Sequence, residues 1–242
     1  MKHELLPAIL PTSFSELTEK INLVCGAVDT VQIDFCDGRF VPSKTWPFLK
    51  EPTTDNVQPT AQEEKRERYG FEELITEGNG LPCRDRLDFE AHLMIEDPGM
   101  ILSDMVKIGF SRILLHLETV SSDILSGLIH EWKGVVEIGV ALSADTPLEE
   151  LAPFAHEIQS VQLMSIKEIG AQGQTFASGV FERISTLRKQ YPNHILSVDG
   201  GVTLQNAEAL VLAGINRLVV GSAIFGSPDI PNTIAQFKDL LY

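Results

Sequence analysis

The chain has 242 residues, a hydrophobic content of 43% and a formal net charge of -15. This length and composition allow a sizeable core, either in two small domains or in one α/β barrel. The negative charge argues against nucleic acid and anionic membranes as partners, because both require a positive protein face, although it permits a small anionic ligand held by backbone N–H groups.

Short apolar runs along the chain are predicted to be β-strands. They are dense in Val, Ile, Leu and Phe rather than strictly alternating, which is typical of parallel strands covered on both faces. In chain order they are LLPAIL (5–10), VQIDF (31–35), FEAHLM (89–94), RILLHL (112–117), VEIGVAL (136–142), SVQLM (160–164), ILSV (195–198) and RLVVG (217–221).

The segments between the predicted strands show the period of amphipathic helices, and several end on Gly, the usual C-terminal signal. Eight strands, each followed by a helix, predict a single (β/α)8 barrel with residues 1–242 as one domain. An open doubly wound sheet is the alternative, and it is disfavoured because no GxGxxG follows the first strand.

The connection over residues 48–88, between the second and third strands, is far longer than a usual one. We place the second helix at about residues 62–77, with a polar, Pro-containing piece before it. A loop after a strand lies on the C-terminal face of a barrel, where active sites are built. We favour a solvated surface excursion over an active-site lid, with the charge run EEKRER on the solvated helix face.

Polar residues at three predicted strand ends could carry out chemistry. Strand 2 presents Gln32 and Asp34 on one face, strand 3 presents His92, and strand 7 presents Asp199. These ends converge in a barrel, where an unpaired inward carboxylate is very costly. Alone, each residue is readily explained as a core histidine or a helix cap. Together, two acids and a histidine favour a shared divalent cation, which would suppress the repulsion between the carboxylates.

Glycine-containing turns after strands 6, 7 and 8 predict a phosphate site. They are GAQGQTF (170–176), VDGGV (198–202) and VVGSAIFG (219–226). Barrels commonly hold a phosphate at these positions through backbone N–H groups and helix dipoles. Such a site needs no basic patch, so it is compatible with the negative net charge.

The cysteines and the amino terminus indicate the compartment. Cys25, Cys36 and Cys83 are odd in number and form no CxxC pair, which is typical of a reducing environment. The apolar part of MKHELLPAIL is too short for a signal peptide, and no run approaches the length of a membrane span. We therefore predict a cytoplasmic protein without a membrane partner.

The chain resembles the ribulose-phosphate 3-epimerases over nearly its full length, apart from the long connection. The matching pieces are PAIL, IDFCDGRFVP, AHLMIEDP, LLHLE, GVALSADTPLEEL, LMS, GAQGQTF, VDGGVTLQNAEALVLAG and VVGSAIFG. In that family one Asp removes the C3 proton of a sugar phosphate and a second Asp returns a proton on the other face. A divalent metal held by two His and both Asp stabilises the enediolate.

The resemblance implies an isomerase that interconverts D-ribulose 5-phosphate and D-xylulose 5-phosphate. It implies that Asp34 and Asp199 are the acid/base pair, and that Asp34, His92 and Asp199 hold Zn, Fe or Mn. Asp37, in the DG of the strand-2 motif, is interpreted as a turn-stabilising residue. We also expect a homo-oligomer. The candidate substrate- and phosphate-binding residues are His92, Met164, Gly170, Gly173, Gly200, Gly201, Gly221 and Ser222.

Three departures from the family pattern leave alternatives open. Gln32 stands at the family's other His ligand and offers a poorer zinc ligand. Ala8 replaces a substrate-contacting Ser, and Gln172 occupies a glycine position in the strand-6 loop. The alternatives are a hexulose 6-phosphate 3-epimerase and a non-catalytic phosphosugar-binding barrel. A decarboxylase or synthase is disfavoured, because the chain has no Asp-x-Lys-x-x-Asp run.

Overall fold

The computed structural model describes residues 3–49, 71, 74 and 80–241. Within these ranges, parallel strands in chain order close into a barrel whose last strand pairs with the first. The predicted (β/α)8 barrel is confirmed, and each predicted strand agrees with the observed one to within one residue at either end. The strands are β1 Glu4–Ile9, β2 Thr30–Cys36, β3 Asp88–Met94, β4 Arg112–His116, β5 Glu137–Leu142, β6 Ser160–Met164, β7 Ile195–Asp199 and β8 Arg217–Val220.

The α-helices of the described residues are α1 Phe14–Val24, α2 Leu102–Ile108, α3 Ser122–Trp132, α4 Val180–Gln190, α5 Leu204–Ala213, α6 Ser222–Phe225 and α7 Ile230–Asp239. Gly109 and Gly214 end α2 and α5 with φ angles of 113° and 111°, so the predicted glycine stops are present. No helix in the described part of the chain is long and apolar enough to span a membrane.

The connection between β5 and β6 departs from the expected pattern of one α-helix after each strand. Here the structure has a 3-10 helix, Leu148–Leu151, followed by turns. The reason lies in Pro147 and Pro153, which bracket this short segment. Proline in a helix interior removes a backbone hydrogen bond and clashes with the preceding turn, so an α-helix cannot extend through Pro153.

Most of the predicted second helix, at about residues 62–77, lies outside the described residues. The segment predicted to be a surface excursion rather than a lid lies outside them as well. The two described residues in that range, Phe71 and Leu74, are buried in the core. The Phe71 ring packs edge-on against Phe35 of β2, with centroids 6.0 Å apart, and against Trp46 at 5.5 Å. This part of the connection therefore packs against β2.

The structure joins Cys25 and Cys83 in a disulfide, with Cα atoms 6.4 Å apart. It links the end of α1 to the segment before β3, and Cys36 is the free cysteine of the three. The absence of a CxxC pair did not reveal this disulfide, because residues 58 positions apart in sequence meet only through the closure of the barrel. A disulfide is more typical of an oxidising compartment, so the cytoplasmic location stays a prediction.

A buried cluster of charges closes the amino end of the barrel interior. Glu90 is fully buried, and its Oε2 lies 3.1 Å from Arg112 Nε and 3.6 Å from Arg217 Nη1. Glu4 pairs with the same two guanidinium groups at 3.0 and 3.2 Å, and Glu137 lies 3.6 Å from Arg217. Three carboxyl groups, of which Glu90 is fully buried, thus share two guanidinium groups at the end of the barrel opposite the predicted site.

Candidate active site

A pocket opens at the carboxyl ends of the strands and receives most of the predicted site residues. Ala8, Met94 and Val219 contribute to its wall from β1, β3 and β8. The predicted site residues in its lining are Asp34, Met164, Gly170, Gly173, Asp199, Gly200, Gly201, Gly221 and Ser222. His92 differs from these, because it is fully buried and contacts the two acids without reaching the pocket wall.

Asp34, His92 and Asp199 converge on one buried centre. Asp34 and His92 are direct neighbours in the register of β2 and β3, and Asp34 Oδ1 lies 3.0 Å from His92 Nδ1. Asp199 Oδ2, from β7, lies 3.5 Å from the same nitrogen. One ligand atom from each residue falls within 4.8 Å of the other two. This donor set of two carboxylate oxygens and one imidazole nitrogen fits a divalent metal ion.

The crowding of acids at this centre shifts two pKa values. Burial and the charge of Asp34 raise the pKa of Asp199 to about 7, against the opposing effect of His92. Burial lowers the pKa of His92, but the hydrogen bond and charge of Asp34 outweigh it, so the pKa is raised. Both shifts are consistent with acidic groups crowded in a buried site, where a proton or a metal cation would reduce their repulsion.

The Gln32 amide faces the same centre. Its Nε2 donates to Asp34 Oδ1 at 2.9 Å and to Asp199 Oδ2 at 3.1 Å, and lies 3.4 Å from His92 Nδ1. Its Oε1 is buried and finds no hydrogen-bond partner among the described residues. Since an amide can turn over, rotation would exchange the two atoms and direct Oε1 at a bound cation. In that orientation Gln32 would offer its amide oxygen as a fourth ligand beside the three side chains.

Sequence reasoning missed Gln162, His116 and Glu118. Gln162 Nε2 donates to Asp199 Oδ2 at 3.2 Å, and His116 Nε2 lies 2.9 Å from His92 Nε2. Burial lowers the pKa of His116, against the opposing effect of a hydrogen bond to Glu118. Gln162 and His116 are each preceded by an apolar residue in the interior of a strand, and that contrast is the signal that could have identified them.

Two glycines of the predicted phosphate site lie too close to neighbouring residues to be replaced by residues with a Cβ atom. A Cβ at Gly200 would lie 2.8 Å from Ile166, and one at Gly201 would lie 2.9 Å from the Phe176 backbone. Gly200 and Gly201 also have positive φ angles of 108° and 65°, which side-chain-bearing residues rarely adopt. Backbone without side chains therefore lines the pocket at two consecutive residues, which is a feature of phosphate-binding turns.

The Gln172 side chain lies across the same cradle. Its Nε2 donates to the Ala8 carbonyl at 3.3 Å, and a Cβ at Gly221 would lie 2.9 Å from that nitrogen. The amide thus bridges the ends of β1 and β8.

Asp37 accepts hydrogen bonds from the backbone N–H groups of Arg39 at 2.9 Å and Glu96 at 3.0 Å. This is the turn-stabilising role predicted for it.

Comparison with known proteins identifies the family. The model of the ribulose-phosphate 3 epimerase family matches residues 81–225. The chain belongs to this epimerase family. The chloroplastic ribulose-5-phosphate-3-epimerase of Arabidopsis thaliana is 31% identical over 238 residues, which is 96% of this chain and 75% of the relative. The ribulose-phosphate 3-epimerase of Schizosaccharomyces pombe is 28% identical over 238 residues, which is 98% and 92% of the two chains.

Solved structures share the fold of this ribulose-phosphate 3-epimerase family member at low sequence identity. The 3-hexulose-6-phosphate synthase of Salmonella typhimurium has a TM-score of 0.70 at 16% identity, with 98% of each chain covered. The 3-keto-L-gulonate-6-phosphate decarboxylase of Vibrio cholerae has a TM-score of 0.69 at 14% identity, with 100% and 98% covered. At these identities the likeness shows the fold alone.

Membership in the family makes the chain an isomerase of the epimerase class. The triad of Asp34, His92 and Asp199 fits the divalent metal use that the family resemblance implies. The three departures from the family pattern, Ala8, Gln32 and Gln172, also lie around this site. Gln32 contacts both acids, and Gln172 bonds to Ala8. These three departures therefore all lie where ligands would bind.

Proposed function

We propose that the protein is a ribulose-phosphate 3-epimerase that interconverts D-ribulose 5-phosphate and D-xylulose 5-phosphate. The observation that carries the proposal is the placement of two carboxyl groups, Asp34 and Asp199, in one pocket with the glycine turns. The family model and the names of the relatives support it. The single domain, the cytoplasmic location and the homo-oligomer stay predictions.

The proposed chemistry is a proton transfer at one carbon. The C3 proton is acidic because C3 lies next to the carbonyl, and an ionised Asp accepts it on one face of the substrate. The electron pair moves into the carbonyl to form an enediolate. The other Asp, which is protonated, then donates its proton to C3 on the opposite face as the carbonyl reforms. Asp34 and Asp199 come from β2 and β7, separated by β8 and β1, so they can serve two faces of one carbon.

Asp34, His92 and Asp199 would hold the divalent metal, with Gln32 at the fourth position. When bound, the metal supplies positive charge for the enediolate oxygens. Gln162 additionally directs an amide N–H group at Asp199 Oδ2, at 3.2 Å. This hydrogen bond orients the Asp199 carboxyl group. The glycine turns would bind the phosphate group and fix the position of C3 relative to the two acids.

Incubation of the purified protein with D-ribulose 5-phosphate in D2O tests the proposed function. We expect formation of D-xylulose 5-phosphate with deuterium at C3, observed by NMR. Turnover of a hexulose 6-phosphate alone would instead identify a hexulose 6-phosphate 3-epimerase. Phosphosugar binding without exchange on any pentulose or hexulose phosphate would identify a non-catalytic binding barrel and contradict the proposal.

The Gln32→His variant is expected to bind zinc more tightly than the unmutated protein. An imidazole nitrogen is a better zinc ligand than an amide oxygen. We expect the dissociation constant to fall by at least about tenfold, since even outer-shell partners contribute that much. Competition with a chelating dye measures it. Gln159→His is the control. It adds the same ring at an exposed position before β6, at the opposite end of the barrel, and should leave the zinc dissociation constant unchanged. Equal effects of both variants would show that Gln32 does not face the metal.

The Gln172→Ala variant is expected to bind inorganic phosphate more tightly. Removal of its amide clears the space beside Gly221 and breaks the 3.3 Å bond to Ala8. A weak hydrogen bond of about 1 kcal/mol corresponds to an affinity gain of about fivefold. Amide NMR titration should show shifts at Gly200, Gly201 and Gly221, with Gln174→Ala on the same wall as control. Weaker binding would mean that Gln172 is a phosphate ligand rather than an obstruction.

A further inference from the structure

A chain of hydrogen bonds leads away from the acidic centre along β4. His92 Nε2 and His116 Nε2 are 2.9 Å apart, and His116 Nδ1 lies 2.9 Å from Glu118 Oε2. Both imidazole rings are fully buried, and the Glu118 side chain is 21% exposed. These contacts join the three side chains in series. We call them the His92–His116–Glu118 arm.

The outer end of the arm is anchored to the backbone. The Ser143 N–H donates to Glu118 Oε1 at 2.7 Å, and the Thr146 hydroxyl donates to the same oxygen. Arg183 of α4 in turn donates to the carbonyls of Thr146 at 2.7 Å and Ser143 at 3.2 Å. Burial opposes ionisation of Glu118, but hydrogen bonds from His116 and these groups lower its pKa to about 2. Glu118 is therefore a fixed carboxylate that accepts on both oxygens.

The hydrogen-bond pattern assigns the protons along the arm. A carboxylate only accepts, so His116 Nδ1 must carry the hydrogen that faces Glu118. Neutral His116 then presents a lone pair at Nε2, and His92 must donate its Nε2 hydrogen across the 2.9 Å contact. His92 Nδ1 faces Asp34 and Asp199, at 3.0 and 3.5 Å. A neutral His92 that donates from Nε2 keeps its lone pair on Nδ1, available to a cation bound between this nitrogen and the two acids. That is the tautomer a metal ligand requires at this nitrogen.

We propose that Glu118 and His116 are positioning residues that hold His92 with its Nδ1 lone pair toward the metal centre. The inference rests on the metal site of the proposed function, but on no particular sugar substrate. Outer-shell partners of metal-binding histidines fix the tautomer and ring orientation, and their loss typically costs about 10- to 100-fold in metal affinity.

The Glu118→Gln variant reverses the arm without removing it. The amide can accept from Ser143 through its oxygen and donate from its nitrogen to His116 Nδ1. The new amide then donates to His116 Nδ1, and His116 Nε2 donates to His92 Nε2. A neutral His92 therefore carries its hydrogen on Nδ1, where the metal must bind. We expect the zinc dissociation constant to rise by about 10- to 100-fold, measured by competition with a chelating dye, with an unchanged circular dichroism spectrum.

Glu96→Gln is the matched control. Glu96 follows β3 at the same end of the barrel and pairs with Arg39 on the surface, where its side chain is 63% exposed. The Glu96→Gln variant removes the same charge as Glu118→Gln at a residue that does not contact the arm. Its zinc affinity should therefore stay within about twofold of that of the unmutated protein. Equal losses in the two variants, or no loss in Glu118→Gln, would overturn the proposal.

Nitrogen-15 NMR of the histidine rings tests the arm in the unmutated, zinc-loaded protein. Two-bond proton–nitrogen correlations should show hydrogen on His92 Nε2 and on His116 Nδ1. Hydrogen on His92 Nδ1 would overturn the proposal. Epimerase activity is not needed for this readout, so an arm with the expected tautomers in a protein without turnover would contradict the proposed reaction alone. A protein that binds no zinc would contradict both the metal centre and the role given to the arm.

Discussion

The Asp34→Asn and Asp199→Asn variants should each lose about two to four powers of ten in epimerisation rate, the usual contribution of a positioned general acid or base. Asparagine keeps the size of the side chain and part of its capacity to bind metal, but it cannot accept a proton from carbon. Each variant should therefore lose deuterium incorporation at C3 of the product in D2O. Turnover of D-ribulose 5-phosphate, followed by NMR, measures both quantities.

The two losses should not multiply in the double variant, because both acids serve one proton relay. Asp37→Asn is the matched control, since Asp37 directly follows β2, the strand of Asp34, but bonds to backbone N–H groups of the turn. Its activity should stay close to that of the unmutated protein. Inorganic phosphate affinity should change little in all of these variants, since the glycine turns carry that interaction. Exchange that survives the Asp34→Asn, Asp199→Asn double substitution would show that other residues move the proton.

The Arg112→Met variant should lower the free energy of unfolding by about 3–5 kcal/mol, the usual cost of removing one partner from a buried ion pair. Arg112 lies 3.0 Å from Glu4 and 3.1 Å from Glu90. Burial raises the pKa of Glu90, and Arg112 is the larger of the two Arg effects that oppose it. Without Arg112, the buried Glu90 and the partly buried Glu4 depend on Arg217 alone. Urea denaturation measures the loss.

Arg39→Met is the control for this loss. The Arg39–Glu96 pair has an N···O distance of 3.4 Å, but the two side chains are 58% and 63% exposed. Exposed pairs contribute about 0–1 kcal/mol, so the control should remain near the stability of the unmutated protein. The charge cluster lies at the end of the barrel opposite the pocket. Similar losses in the two variants would contradict the buried character of the cluster.

The sequence by itself determined the fold and much of the site. Strand bounds followed from local runs of apolar residues, because burial on both faces imposes that composition wherever the strand lies in the barrel. The meeting of Asp34, His92 and Asp199 was also predictable. A closed parallel barrel brings all carboxyl strand ends to one face, so polar residues at those ends have to converge. The bounds of β6, Ser160–Met164, agreed at both ends.

Only the tertiary structure decided which side chains touch. The contact of His92 with His116 depends on the stagger between β3 and β4, and the Cys25–Cys83 disulfide depends on how α1 and the segment before β3 come together. Neither is encoded in local periodicity. Gln32 was recognised as a departure, but its hydrogen bonds to both acids required coordinates. The physical reason is that composition and period report burial, which is local, whereas hydrogen bonds and disulfides depend on distances of a few ångströms between residues far apart in sequence.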